Sequence, residues 1–290
     1  MAIFNAKAVL PDGEPGPWGD AVSISYEQRD VLLYAVGIGS DDLRFVYERH
    51  PDFAVFPTFP IRWGGAGISV DRSAIPPSPG PLTIDAERYI ERLMPLPIAG
   101  SVNVVSRLIA VHPRGKGSAF VETESKVLDA KGNLCVRMIN GSFRRGVAGL
   151  GDIEAFEGSG QTFFSRIDMP ERAPDVEVDA HVAGNQAHIY RLSGDYNPLH
   201  IELAAARSGG FDKPILHGLC TLGFCARLLL NVLCDGDPAR FGRLRLRFAS
   251  PVFPGDTLRL AAWHAGPGRV VFECRVNAKV VVSNAYFECV

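Results

Sequence analysis

The chain is 290 residues long, 47% hydrophobic and 21% charged, enough for one large domain or two of ordinary size with a substantial core. Its 30 Lys and Arg nearly cancel its 32 Asp and Glu, for a formal net charge of −2, which excludes nucleic-acid binding through broad electrostatics. The longest apolar run, LGFCARLLLNVLC, is interrupted by Arg227 and falls short of the roughly 18–20 residues of a membrane span.

The N-terminus, MAIFNAKAVLPDGEPG, lacks the basic-then-apolar pattern of a signal peptide, and the C-terminus, NAYFECV, carries no sorting tripeptide. The expectation is a soluble intracellular protein, cytoplasmic in a bacterium or peroxisomal in a eukaryote. A Tyr-led helical segment around Tyr34 opens the first half. Strands follow in PLPIAGSVNVVSRLIAVHPRGKGSAFVETESKVLDAKGNLCVRMINGSF, where apolar and polar residues alternate between Gly-rich turns. The segment GVAGLGDIEAFEGSGQ has little periodicity and reads as a linker. It divides the chain near 150–165 into a first unit, 1–150, and a second, 165–290.

In the second half, NQAHIYRLS forms a helix that ends at Gly194, a residue suited to the left-handed C′ position. Farther on, PILHGLCTLGFCARLLLNVL is the clearest helix, with an apolar stripe through Leu222, Cys225, Leu229 and Val232. Apolar residues lie off that stripe too, so the helix should be wrapped on most sides. The run from Arg243 to Cys289 repeats the strand rhythm of the first half. Together the halves predict a duplicated unit of one helix on an antiparallel sheet, an α+β fold. The six cysteines form no CxxC motif and read as reduced packing residues.

Chemistry concentrates in YRLSGDYNPLHIEL, residues 190–203, where Asp195, Asn197 and His200 crowd behind a glycine and across Pro198. Two readings stand. Asp and Asn are common in turns because they hydrogen-bond the local backbone. Alternatively, an Asp beside a His can grip one water from two directions, the imidazole taking a proton while the carboxyl group holds or gives one. In HGL, residues 217–219, Gly218 opens the apolar helix, where unpaired N–H groups and the positive dipole end favour a negatively polarised oxygen. With no side chain in the way, its N–H is a candidate oxyanion donor; the competing role is close helix packing. His217 reads as structural.

YRLSGDYNPLHIE together with GFDKPILHGLCTLGF resembles the signature of the MaoC-like hydratases, the (R)-specific enoyl-CoA hydratases 2. The resemblance is to the two-hotdog form in the multifunctional enzyme of peroxisomal β-oxidation. It extends to RDVLLYAVGIGS, DLRFVYE, LMPLP and FPGDTL, over most of the chain. It implies a double hotdog, two antiparallel sheets each wrapped around a central helix. It also implies reversible addition of water to a trans-2-enoyl-CoA, giving the (3R)-3-hydroxyacyl-CoA. The family's catalytic pair falls on Asp195 and His200, and its oxyanion amide on Gly218. Its acyl-CoA contacts fall on Lys116 in RGKGS, on Tyr196, Asn197, Pro198 and Leu199 of the catalytic loop, and on Phe248.

Relatives carry His-Gly where this chain has Asp85-Ala86, which alters a substrate contact. Laying Tyr34 on Tyr190 sets Gly39 opposite Asp195 and Arg44 opposite His200, so the first half has lost the pair. The resemblance gives that half the task of accommodating the acyl chain and CoA. A homodimer is expected on family grounds. The histidines have no paired ligand spacing and no dinucleotide fingerprint follows a strand, so no metal or redox cofactor is expected, CoA being part of the substrate. The rival readings are a thioesterase or acyl-carrier-protein dehydratase on the same fold, and a non-catalytic acyl-CoA-binding subunit.

Overall fold

The computed structural model describes residues 15–68, 78, 83–114, 117–147 and 163–290. In the first half β1 (Val22–Tyr26) leads to α1 (Gln28–Gly37) and the single turn α2 (Leu43–Val46). Four strands follow: β2 (Thr83–Arg92), β3 (Gly100–Pro113), β4 (Ala119–Leu128) and β5 (Leu134–Arg144). The second half repeats the plan. After β6 (Val176–His181) come α3 (Gln186–Tyr190), α4 (Leu203–Ser208) and α5 (Gly218–Cys234). Strands β7 (Phe241–Phe248), β8 (Thr257–Gly266), β9 (Arg269–Val276) and β10 (Lys279–Cys289) complete it.

All ten strands form one sheet, in the order β1-β3-β4-β5-β2-β7-β10-β9-β8-β6. Each half contributes the same internal order, and the two sheets of the duplicated unit join edge to edge where β2 meets β7. That seam is antiparallel, with Glu87 opposite Arg247, Ile90 opposite Leu244 and Glu91 opposite Arg243. Cross-strand pairs are what stabilise a sheet, and here the alternation gives each face its own glue. On the core face Ile90 and Leu244 are fully buried. On the other face Arg247 reaches the Glu87 carboxylate at 2.7 Å and Arg243 lies 3.5 Å from Glu91.

The expected helix at HGLCTLGF is α5, and its all-round apolarity has the expected cause. It packs against β6, β7 and β10, with Cys220, Leu222, Phe224, Leu229 and Leu230 buried. Burying a side chain of this size contributes roughly 1.5–3 kcal/mol, so this helix anchors the core. It also reaches across to the first half. Gly223 lies against Ile38 so closely that a Cβ there would fall 2.2 Å from the Ile38 Cγ2. The Cys220 thiol donates to the Gly37 carbonyl at 3.3 Å.

In the first half the matching place, between α2 and β2, holds among the described residues only a 3-10 turn over Phe59–Trp63. Pro60 removes a backbone donor at its start, and Gly64, Gly65 and Gly67 follow it. Aromatic rings fill the space instead: Phe45 against Phe56, and Tyr34 and Trp63 against Phe59, at centroid separations of 5.0, 5.6 and 5.2 Å.

The cysteines depart from the expectation that all six are reduced. Cys234, at the end of α5, and Cys289, at the end of β10, are paired as a disulfide with Cα atoms 6.4 Å apart. Their sequence separation of 55 residues hid a proximity that only the packing of α5 along β10 creates. The other four are free and buried.

Candidate active site

The segment before Asp195 folds as its sequence predicts. Helix α3 tightens into a 3-10 turn, Arg191–Ser193, and Gly194 ends it with φ of 119° in the left-handed region, which a side chain would strain. Asp195 then lies in a short turn built by its own neighbours. Its Oδ1 accepts from the Asn197 N–H at 3.2 Å, and the Asn197 Oδ1 accepts from the Leu199 N–H at 3.1 Å. Pro198 occupies the first position of the 3-10 turn Pro198–His200, where its missing N–H costs nothing. The turn reading is borne out by these local bonds, and the loop they shape brings Asp195 to the same cavity as His200.

His200 is buried at 7% exposure. Its Nδ1 donates to the Ile215 carbonyl at 2.9 Å, which fixes the tautomer and leaves a lone pair on Nε2. That Nε2 faces the Asp195 Oδ2 at 3.9 Å, too long for a direct hydrogen bond but right for one water held by both groups. Burial holds the His200 imidazole below the ordinary histidine range, outweighing the Ile215 carbonyl and the Asp195 carboxylate. It is therefore a neutral acceptor at neutral pH.

His217, read from sequence as structural, supports this arrangement from behind. Its ring stacks on His200 with centroids 3.6 Å apart and planes 26° apart, and its Nε2 donates to the Asp195 main-chain carbonyl at 3.2 Å. Burial first, and then the adjacent His200, pushes its pKa down to about 4. Among the described residues Asp195, His200 and His217 form the group whose ligand atoms could meet at one metal ion, all within 4.8 Å of one another. The rings are stacked, and each has one nitrogen engaged with a main-chain carbonyl, His200 Nδ1 with Ile215 and His217 Nε2 with Asp195.

Gly218 begins α5, and the first intrahelical donor there is the Thr221 N–H, bound to the His217 carbonyl at 3.1 Å. The Gly218 N–H thus belongs to the unpaired first turn. A Cβ on Gly218 would sit 3.3 Å from the Phe248 ring, so glycine lets Phe248 close over the helix N-terminus. Asp195, Asn197, Leu199, His200, Gly218 and Phe248 all line one cavity of about 540 Å³.

The remaining expected residues divide. Asp85 lines the same cavity, together with Arg88 and Arg145, and its carboxylate pairs with Arg88 at 2.8 Å. Ala86 does not. The β2–β5 register slips between Asp85 and Glu87, so Ala86 is the extra residue of a bulge and lines a neighbouring hollow with Phe120, Phe143 and Phe164. Tyr196 points away from the cavity, 57% exposed, beneath the Arg191 guanidinium at 4.9 Å. Pro198 shapes the loop without lining the cavity. Lys116 lies outside the described residues.

Three participants had no readable signal. The Ile215 carbonyl is a main-chain group, and Arg88 and Arg145 sit in strand and loop sequence without a motif. Opposite the pair, Gly39 has φ of 70° and packs on Phe224, while Arg44 bonds Asp42 and the Asp235 carbonyl. Both first-half positions carry structure.

The fold and site define a double-hotdog protein whose second half brings Asp195, His200 and Gly218 to one cavity. Residues 166–285 match the MaoC like domain and residues 24–146 match the MFE-2 hydratase 2 N-terminal domain. The chain belongs to the MaoC-like hydratase 2 family. It is 35% identical to the peroxisomal enoyl-CoA hydratase 2 of Arabidopsis thaliana, over 88% of this chain and 87% of that one. It is 37% identical to the peroxisomal multifunctional enzyme type 2 of Drosophila melanogaster over 93% of this chain, but spans only 47% of that longer protein. The crystal structure of a MaoC-like dehydratase from Phytophthora capsici superposes with a TM-score of 0.85 at 34% identity, covering 99% of this chain and 98% of that one. No helix among the described residues is long and apolar enough to cross a membrane.

Proposed function

We propose that the protein reversibly hydrates a trans-2-enoyl-CoA to the (3R)-3-hydroxyacyl-CoA. The observation that carries this reading is the neutral His200 Nε2 facing the Asp195 carboxylate across 3.9 Å, in one cavity with the Gly218 N–H. The CoA thioester is supported by the name of the Arabidopsis relative, an enoyl-CoA hydratase 2, and the R configuration by membership of the hydratase 2 family.

In the forward direction the water between the pair attacks C3 of the enoyl group. Nε2 of His200 takes one of its protons, and the Asp195 carboxylate accepts a hydrogen bond from the other and faces the imidazolium as it forms. Electron density moves through C2 onto the thioester oxygen, where the Gly218 N–H and the N-terminus of α5 stabilise it. His200 then returns the proton to C2. One water has been added and both side chains are restored. The reverse sequence dehydrates the hydroxyacyl thioester.

The test is the loss of enoyl-thioester absorbance when the pure protein meets crotonyl-CoA and, separately, trans-2-decenoyl-CoA, with the product offered to (3R)- and (3S)-specific dehydrogenases. Product accepted only by the (3R)-specific enzyme is expected. Release of free CoA thiol instead would identify a thioesterase and overturn the reading, as would an (S) product.

A further inference from the structure

Asp195 and His200 are held in place very differently. His200 is buried, its ring fixed by the Ile215 carbonyl and by the stack on His217. Asp195 lies in the exposed run 194–198, directly after Gly194, around whose Cα there is open space and whose backbone is the freest in the loop. The bonds from Asp195 to Asn197 and from Asn197 to Leu199 stay within the loop. They shape it without tying it to the rest of the molecule. A carboxylate that has to share one water with a fixed imidazole needs anchors from outside.

Two main-chain carbonyls supply them, one on each side of Gly194. The Asp195 carbonyl accepts from His217 Nε2 at 3.2 Å. The Ser193 carbonyl accepts from Arg62 Nη1 at 2.6 Å, and Arg62 belongs to the first half, 131 residues earlier. Arg62 is built for a fixed contact. Its guanidinium lies 4.3 Å from the ring centroid of Phe59 and 5.6 Å from that of Trp63, and both rings are buried. A planar cation seated on aromatic rings is pre-organised, so little freedom is lost when it donates. A bond from a charged donor is also roughly twice as strong as one between neutral groups. The 3-10 turn that stands in the first half at the place of α5 thus reaches the loop of the second.

We propose that Arg62 is a positioning residue: by holding the Ser193 carbonyl it sets where the Asp195 carboxylate stands relative to His200 Nε2. Its kinetic consequence rests on the enoyl-thioester reading of the pair, while the bracing of the loop rests on the geometry alone. The half that lacks the Asp–His pair then serves the chemistry through one guanidinium.

The test starts from Arg62→Met, which keeps an apolar stem over Phe59 and removes the bond to Ser193. On crotonyl-CoA it should lower kcat about 10- to 100-fold, the scale of a slightly misplaced reacting group. KM should change little, since Arg62 does not line the main cavity. The same change made in Asp195→Asn should cost less than about threefold, because no carboxylate is left to place. A merely structural role would cost both backgrounds alike. Hydrogen exchange of the Asn197 and Leu199 amides should quicken at least about tenfold in Arg62→Met while the α5 amides keep their rates. Arg62→Lys keeps the charge and loses the planar fork, and it carries the same comparisons if Arg62→Met does not fold. An unchanged kcat, an equal loss in both backgrounds, or unaltered exchange in the loop overturns the proposal. If the unaltered protein does not hydrate crotonyl-CoA, the hydratase reading falls and the exchange measurement alone decides. Quickened exchange then keeps Arg62 as the holder of the loop, and unaltered exchange removes it.

Discussion

The imidazole of His217 lies flat against that of His200, 3.6 Å between centroids, and at the same time holds the main-chain carbonyl of Asp195. One side chain therefore braces both members of the pair without facing the water between them. His217→Phe keeps a ring for the stack and loses the bond to Asp195. It should lower kcat about tenfold, the scale of one net hydrogen bond, with KM little changed. Steady-state kinetics on crotonyl-CoA checks this, and an unchanged kcat would show that the Asp195 loop holds itself.

Under the proposed mechanism, Asp195→Asn and His200→Ala each remove an acid–base group. Hydration should fall by roughly 10²–10⁴-fold while thiol release stays absent. His200→Ala also strands the Ile215 carbonyl, so a stability loss of about 1–3 kcal/mol is expected. Asp195, with 44% of its side chain exposed, should show almost none. Urea melts alongside the kinetics separate the two effects, and a folded His200→Ala enzyme with near-normal turnover would remove His200 from the mechanism.

Activity should have its acid limb below the ordinary histidine pKa of about 6.5, because burial lowers the value of His200 and the base must be neutral. The same burial links pH to stability. His200 and His217 both titrate lower in the folded protein, so the unfolded chain binds more protons as pH falls. Their contribution is complete above about 6.5 and is lost as pH falls from there toward about 4, where His217 titrates. Denaturant midpoints at a series of pH values measure this, and His217→Phe should flatten the slope.

Gly218→Ala separates helix stability from chemistry. Alanine favours the helix by up to about 1 kcal/mol, so melting should change little. Its Cβ would press on Phe248 at 3.3 Å and shift the oxyanion donor, so kcat should fall by about 10²-fold. Adding Phe248→Leu should recover part of that loss, a coupling that a double-mutant cycle reads directly.

Where the sequence was legible, a local rule governed the outcome. Gly194 ends its helix, Pro198 opens its turn, the apolarity of α5 demands a wrapping sheet, and Asp195 and His200 are close in space because they are close in the chain. The unread parts depend on distance. β1, β2 and β6 were missed as strands: VSISY and VEVDAH alternate but are only five and six residues long, and TIDAERYIER is heavily charged, its acids answered only by Arg243 and Arg247 across the seam. Among the described residues the place of the first half's central helix holds a 3-10 turn, Phe59–Trp63, followed by Gly64, Gly65 and Gly67, which disfavour a helix. Asp85 and Ala86 were paired because they occupy the relatives' His-Gly positions, and the bulge sends them to different hollows. Cys234 and Cys289 meet only once α5 lies along β10.

The seam between β2 and β7 bears on how the molecule comes apart. Because Glu87, Tyr89 and Glu91 pair with Arg247, Arg245 and Arg243, and α5 fills its groove with residues from both halves, neither half has a finished boundary of its own. Heating should give one calorimetric transition rather than two. Cutting the chain between the halves should yield no pair of independent domains, but two fragments each offering a long unpaired strand, β2 or β7, to any partner that arrives first.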